Sequence, residues 1–242
     1  MEMIPIFIIT CDRLEMLKKS IESYYACIET PFKIVICDQG STFKPMVRYL
    51  KFLGSNGMVE VYWRGKVNAG QKRNLARDNG MIAEVVEKYF KGKPKTNYIV
   101  TDPDIMLDNA NSDILELYSK ILDFMPSVDV VGPMLRIDDI PDYYPLKKKL
   151  LNNSKHRKFH MSTVHLFAYK GTWVKYIFAK IDTTFGMYRA GAPWGRLKQG
   201  VRTFKPYWAK HLDWYVDPAN LTDDQKYYMH RASRNAHWSK WC

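Results

Sequence analysis

The sequence predicts an α/β fold built on a central, mostly parallel sheet flanked by helices, and three observations near its start predict this class. Residues 4–10 form a nearly all-apolar run, as expected of a strand that is covered on both faces. A helical pattern follows, and residues 33–37 form a second apolar run that ends at Asp38. A strand, a helix and a strand in this order are typical of a parallel, right-handed crossover.

The helix between these strands has its own signals. Asp12 and Glu15 match a capping box, with an aspartate at the cap and a glutamate three residues later. Leu14, Leu17 and Ile21 then recur at helical spacing. We therefore expect a helix that begins just after Asp12.

The same rules predict the later elements. Strands are expected at residues 59–63, 97–101, 128–131 and 164–169, and helices at residues 71–90 and 112–124, with a short helix after Gly171. The second half of the chain is more irregular and more aromatic than the first, and the sequence contains no internal repeat.

Composition bounds the protein class. A chain of 242 residues with 46% hydrophobic residues is long enough for one domain with a large core, spanning residues 1–242. Its four cysteines form no Cys-x-x-Cys pair, which indicates a reducing compartment. No basic leader and no apolar run of about 20 residues is present, so we expect a cytoplasmic protein.

The formal net charge of +12 favours anionic partners such as nucleotide diphosphates, acidic glycans, lipid headgroups or nucleic acid. The basic and aromatic tail, residues 223–242, has two interpretations. It is either a helix that closes over the sheet, which we favour, or a peripheral membrane contact.

A pair of carboxylates follows the strand at residues 97–101. Asp102 and Asp104 flank Pro103, and residues i and i+2 of extended backbone face the same way. Mg²⁺ and Mn²⁺ are commonly held by one or two carboxylates together with phosphate oxygens. The pair therefore predicts a metal–diphosphate site, with a simple Asx-turn as the alternative.

Polar residues also end the two earlier strands. Thr10 and Arg13 follow the first strand, and Asp38 ends the second. Because ligands of open α/β sheets bind outside the carboxyl ends of the strands, we expect these residues to meet the carboxylate pair.

Four segments together resemble the GT-A glycosyltransferases, in particular the family 2-like enzymes that use nucleotide-diphosphate sugars. They are residues 5–13 (PIFIITCDR), 34–42 (IVICDQGST), 68–74 (NAGQKRN) and 102–104 (DPD). The resemblance implies a Rossmann-like GT-A domain, with residues 1–108 as the nucleotide-binding half and residues 109–242 as the acceptor-binding half.

The resemblance also implies roles for single residues. The nucleotide-binding set is Thr10, Arg13, Asp38, Asn68, Gly70, Arg73 and Asp102. The metal-binding set is Asp102, Asp104 and the late histidine His211, and imidazole suits Mn²⁺ better than Mg²⁺. The alternatives are solvated arginines, a turn aspartate at Asp38 and a histidine packed among aromatic rings.

Asp182 is the candidate catalytic base, because it follows Asp104 by 78 residues, a spacing typical of the inverting enzymes that the chain resembles. An aspartate that caps a local turn is the alternative. Trp194 is a candidate acceptor-binding residue because aromatic rings stack on sugars, with ordinary core or interface packing as the alternative. Asp139 is the other candidate, because it lies in an expected acceptor loop. Inversion is favoured, but a late metal-binding histidine also occurs in retaining enzymes.

We therefore expect a metal-dependent glycosyltransferase that moves a sugar from a UDP-sugar to a glycan or glycoconjugate hydroxyl. A sugar nucleotidyltransferase is one alternative, although it would carry a glycine-rich loop after the first strand, where Cys11, Asp12 and Arg13 stand. A basic nucleic-acid-binding protein is the other alternative, but the sequence has no zinc-finger or RRM-type signature.

Overall fold

The computed structural model describes residues 3–64, 75–152 and 161–231, apart from the side chains of residues 75–79. Its strands are β1 (Ile4–Thr10), β2 (Phe32–Asp38), β3 (Glu60–Trp63), β4 (Tyr98–Thr101), β5 (Ile105–Met106), β6 (Val130–Pro133), β7 (His165–Tyr169), β8 (Thr172–Ile181), β9 (Gly186–Tyr188), β10 (Lys198–Thr203) and β11 (Lys210–His211). Its helices are α1 (Leu14–Cys27), α2 (Lys44–Ser55), α3 (Leu75–Phe90), α4 (Ile114–Phe124), α5 (Lys147–Leu151) and α6 (Asp223–Arg231), with two short 3₁₀ helices at Leu212–Tyr215 and Pro218–Asn220.

Nine of these strands form one mixed sheet in the order β3-β2-β1-β4-β9-β6-β10-β8-β7. Seven of the nine run in one direction, and β8 and β9 run against them. The prediction of a mostly parallel, mixed α/β sheet flanked by helices is thus confirmed. Strands β5 and β11 pair separately as a two-stranded ribbon.

Apolar side chains of the helices cover both faces of the sheet. Leu17 of α1, Leu50 of α2 and Leu117 of α4 pack in the large cluster on one face. On the other face, Ile82 of α3 packs in a second cluster with Phe7 of β1. Because successive residues of a strand face opposite sides, the all-apolar β1 supplies both clusters at once.

The capping-box prediction at Asp12 is wrong. Helix α1 begins at Leu14 with no side-chain cap from Asp12, whose backbone has a positive φ of 53°. The Asp12 carboxylate instead accepts the backbone N–H groups of Thr42 and Phe43, just before α2. A residue distant in sequence caps the first turn of α1: Asp224 of α6 accepts the N–H of Glu15 at 3.0 Å.

The prediction of a short helix after Gly171 is also wrong, because residues Thr172–Ile181 form the ten-residue strand β8. Lys170 and Gly171 both have positive φ, 46° and 73°, as in the two-residue turns that join antiparallel strands. Strand β8 then pairs with β7 on one side and β10 on the other. Pairing on both sides overrides the local preference for a helix.

Strands β10 and β6 approach closely at Gly200. A Cβ atom at this position would lie 2.2 Å from the carbonyl oxygen of Val130, so only glycine fits the contact. Elsewhere, the described cysteines Cys11, Cys27 and Cys37 are not joined by disulfides. None of the helices in the described ranges is both long and apolar enough to cross a membrane.

Candidate metal and nucleotide site

The carboxyl end of the sheet brings together Asp104, His211 and Asp213. One ligand atom from each of these residues lies within 4.8 Å of the others. Asp104 leads into β5, and β11 pairs with β5 so that His211 is opposite Ile105. The N–H of Leu212 donates to the carbonyl of Asp104 at 2.7 Å, which fixes the following 3₁₀ turn and places Asp213 beside Asp104.

The chemistry of this cluster suits a metal ion. Asp104 and Asp213 are each 3% exposed. Oδ1 of Asp104 and Nδ1 of His211 are buried without a hydrogen-bond partner in the described part of the chain, although buried polar atoms are nearly always paired. Two carboxylates and an imidazole match the preferences of Mn²⁺ better than those of Mg²⁺. The residues present therefore fit such an ion.

The charges within the cluster of Asp104, His211 and Asp213 also favour a bound cation. Burial raises the pKa of Asp104, the neighbouring Asp213 raises it further, and His211 and Arg13 oppose the rise. Two neighbouring carboxylates that are buried, as Asp104 and Asp213 are, need positive charge beside them in order to stay ionised. The His211 ring is held by stacking on Trp214, with ring centroids 4.8 Å apart and planes 9° from parallel.

Arg13 supplies part of that positive charge. Its guanidinium donates to both carboxylate oxygens of Asp213 and lies 3.2 Å from Oδ2 of Asp104. It also stacks over the ring of Tyr228 in α6, 4.7 Å from the centroid. Burial alone lowers the pKa of Arg13, but Asp213 and Asp104 raise it well above its ordinary value. Arg13 was predicted to bind nucleotide, and this role stays a prediction.

Asp102 lies beside the cluster rather than among its three ligating groups. Its carboxylate accepts the hydroxyl of Thr183 at 2.5 Å, and its N–H donates to the carbonyl of Thr183 at 2.8 Å. Burial, with a further contribution from Asp104, raises the pKa of Asp102 to about 7, against the opposing charge of Arg196. Its predicted contact with metal or ribose stays a prediction.

The candidate base Asp182 is held at the same end of the sheet. Its Oδ1 forms an ion pair with Nε of Arg196 at 2.6 Å, and its side chain is 35% exposed. Asp102 accepts a hydrogen bond from Thr183, which is the residue after Asp182. The predicted site residues Asp102 and Asp182 therefore meet at the same short segment. No sequence pattern singles out Arg196, which lies in the loop after Trp194.

The ends of β1 and β2 lie side by side, with Thr10 opposite Asp38. Asp38 is buried and accepts N–H groups from Gly40 and Ser41, so it forms the turn that was its alternative interpretation. Burial raises its pKa, and the bonds from Ser41 and Gly40 lower it. A cleft of about 350 Å³ opens next to it, lined also by Trp63 and Arg64. Clefts of this size hold small ligands.

Other predicted site residues have varied placements. Asn68, Gly70 and Arg73 lie outside the described residues. Trp194 is partly buried against the apolar cluster under α3. Asp139 accepts the hydroxyl of Tyr215 at 2.5 Å and pairs with Arg136 and Lys210.

Asp139 thus lies in a charged network that adjoins His211 through its neighbour Lys210. Burial raises the pKa of Asp139, but the Tyr215 bond and the two cations bring it below its ordinary value. The acceptor roles of Trp194 and Asp139 stay predictions.

Asp213 is the residue that sequence reasoning missed as a ligand. It stands two positions after His211, as Asp104 stands two positions after Asp102. That repeated spacing was an available signal, but it does not reveal that the two segments pair.

Comparisons with known proteins bear on the fold. No model of a known protein family and no curated protein sequence matches the chain. Among solved structures it is similar to TarS residues 1–349 from S. aureus, with 10% identity, a TM-score of 0.48 and coverage of 98% of this chain and 68% of that one. It is also similar to the mannosyltransferase PcManGT from Pyrobaculum calidifontis, solved with GDP-Man and Mn²⁺, with 15% identity and a TM-score of 0.39.

The match to PcManGT covers 56% of this chain and 36% of that protein. A third similar structure is glucosyl-3-phosphoglycerate synthase from Mycobacterium tuberculosis, with 12% identity, a TM-score of 0.38 and coverage of 62% of this chain and 49% of that one. All three similarities have TM-scores below 0.5.

Proposed function

We propose that the chain is a metal-dependent glycosyltransferase that moves a sugar from a nucleotide-diphosphate donor, with a UDP-sugar as the first candidate, to a hydroxyl of a glycan or glycoconjugate. The cluster of Asp104, His211 and Asp213 at the carboxyl edge of the sheet is the observation that supports this most strongly. A bound Mn²⁺ would neutralise the charge that develops on the diphosphate leaving group.

The position of the cleft beside Asp38 supports a nucleotide donor. The end of β1 separates the cleft from the cluster: Thr10 lies opposite Asp38, and Arg13, three residues later, contacts Asp104. A nucleoside in the cleft would therefore direct its diphosphate toward the cluster. Residues 1–108 supply the cleft and residues 109–242 supply two of the three candidate ligands, in keeping with a donor half and an acceptor half.

Asp182 is the proposed base that takes the proton from the acceptor hydroxyl. Its partner Arg196 holds the carboxylate in one position, with Oδ1 2.6 Å from Nε, and a positioned carboxylate is a group that can serve as a general base. Its exposure leaves room for an acceptor to approach. An inverting transfer needs such a base, so we propose inversion. The anomeric configuration of the product, read by NMR, tests this.

Calorimetry tests the donor site. We expect UDP to bind in the presence of Mn²⁺, and we expect Asp104→Ala to abolish this binding. Binding of GDP or dTDP in place of UDP would change the donor and keep the enzyme class. If no nucleotide binds with any divalent ion, the proposal is wrong.

A second experiment separates binding from chemistry. Asp182→Asn should retain Mn²⁺-dependent UDP binding and lose about 10²- to 10⁴-fold in turnover, which is the usual contribution of a general base. Full turnover in this variant would remove Asp182 from the mechanism.

A further inference from the structure

The hairpin of β7 and β8 presents an uncovered apolar surface at one edge of the sheet. In an antiparallel pair, opposite residues lie on the same face, so Leu166 shares a face with Lys175, and Ala168 shares it with Trp173. Trp173 is 68% exposed and Leu166 is 54% exposed. We name these four residues the hairpin surface.

The position of the hairpin explains why this surface is uncovered. Ile181, on the same face of β8 as Trp173, packs in the cluster beneath α3. Trp173 and Leu166 lie farther toward the edge and belong to no buried cluster of the described residues. Exposing a tryptophan and a leucine side by side is unusual for a surface that meets only water.

The charge of this region limits what can cover it. The hairpin itself, residues 165–181, contains Lys170, Lys175 and Lys180 and no aspartate or glutamate. Lys175 is exposed at the centre of the hairpin surface. Lys170, at the turn, donates to Asp113 and Glu116 of the adjacent α4 region. The hairpin surface is therefore apolar and positive.

A second copy of the chain suits this surface poorly. In a symmetric dimer the same patch meets itself, so Lys175 would approach its own counterpart. Like charges facing each other across a sheet or an interface are destabilising. A nucleic acid would satisfy the lysines but would leave Leu166 in water.

An anionic membrane surface satisfies both properties. Tryptophan side chains favour the interface between headgroups and acyl chains, apolar side chains insert beside them, and lysines bind anionic headgroups. We propose that the hairpin surface docks the protein on membranes that contain anionic lipid. The docking is peripheral, through a strand hairpin.

Vesicle sedimentation of the whole chain tests the proposal. We expect the protein to bind phosphatidylcholine vesicles that contain phosphatidylglycerol, and to bind pure phosphatidylcholine vesicles about tenfold more weakly or less. Trp173→Ala with Leu166→Ser, and separately Lys175→Glu, should each weaken partitioning to the anionic vesicles by about tenfold.

Matched controls separate this surface from general charge and apolarity. Phe52, in α2 beside the opposite edge of the sheet, is 59% exposed, and Lys19 of α1 is also exposed. Phe52→Ser and Lys19→Glu should leave vesicle binding within about twofold of the unchanged protein. Far-UV circular dichroism should be the same for every variant, which shows that each one is folded.

Four outcomes would overturn the proposal. The protein could fail to bind anionic vesicles. The control variants could lower binding as much as the hairpin variants do. Gel filtration could show a dimer that Trp173→Ala converts to a monomer, or duplex DNA could bind through Trp173 while vesicles do not, and either result would assign the surface to another partner.

Discussion

Asp213→Asn is the substitution that most directly tests the metal cluster. It keeps the shape of the side chain and removes one of the two carboxylate charges from the group of Asp104, His211 and Asp213. An amide oxygen is a weaker ligand than a carboxylate oxygen, and the charge of the ligand set falls from about −2 to about −1. We expect Mn²⁺ to bind about 100-fold more weakly, which is about 2.8 kcal/mol.

The same change also affects stability without metal. The side chains of Arg13 and Asp213 are 11% and 5% exposed, so their pairing is shielded from solvent. Asparagine accepts one hydrogen bond where the carboxylate accepted two, and Arg13 retains Asp104 at 3.2 Å. The expected loss is about 2 kcal/mol, within the range for a hydrogen bond to a charged group.

Manganese titration by calorimetry measures the first effect, and urea unfolding without metal measures the second. Asp102→Asn is the matched control, because Asp102 lies beside the cluster and outside its ligand set. We expect it to weaken Mn²⁺ binding by about tenfold, the lower end of the range for a residue next to a metal ligand.

The opposite ranking would refute the reasoning. If Asp102→Asn abolishes Mn²⁺ binding while Asp213→Asn leaves it unchanged, the metal is held by the Asp102 and Asp104 pair that the sequence predicts. Equal losses in both variants would place all three carboxylates around the ion.

Other changes test the fold and its electrostatics. Because the pKa of Asp139 lies below its ordinary value, its ion pairs stabilise the protein above about pH 4, and this contribution is lost as pH falls through the folded pKa. Asp139→Asn should therefore lower the unfolding free energy at neutral pH. A difference in unfolding free energy between the two proteins that persists in acid would contradict this. Gly200→Ala should lower the unfolding free energy measured in urea by about 3 kcal/mol or more, because its Cβ meets a backbone carbonyl. Gly80→Ala in α3, where space is open, should raise it by about 1 kcal/mol. If Gly80→Ala were the more destabilising change, the close spacing of the strands at Gly200 would be refuted. Tyr228→Ala should cost about 1 kcal/mol through its lost stacking on Arg13, and Tyr228→Phe should retain most of it.

Local sequence was sufficient for β1, α1 and β2, although it predicted no helix at α2 (Lys44–Ser55). The apolar runs of β1 and β2 and the helical spacing of α1 are short-range patterns, and each appears where it was predicted. The polar ends of these strands follow from the same patterns. Thr10, Asp38 and Asp104 are therefore predictable at one edge of the sheet from sequence alone.

Contacts between residues distant in sequence determine the features that local patterns did not predict. The segment after Gly171 carries apolar residues on both sides, and its partners β7 and β10 make it a strand. Asp12 has the sequence of a local cap, but the loop before α2 takes its carboxylate. Asp213 becomes a candidate ligand because the short ribbon of β5 and β11 brings two distant segments together, and neither segment alone encodes that contact.

The contact between Arg13 and Asp213 spans 200 residues, which has a consequence for how the protein is made. At translation rates of about 5–20 residues per second, roughly 10–40 s separate the synthesis of the two side chains. From the synthesis of Asp104 until that of residue 211, the nascent chain holds Asp104 without His211 or Asp213. Capture of a metal by all three residues would therefore follow the synthesis of residue 213, and a ribosome stalled before residue 211 carries a sheet edge whose candidate metal cluster still lacks two of its three members.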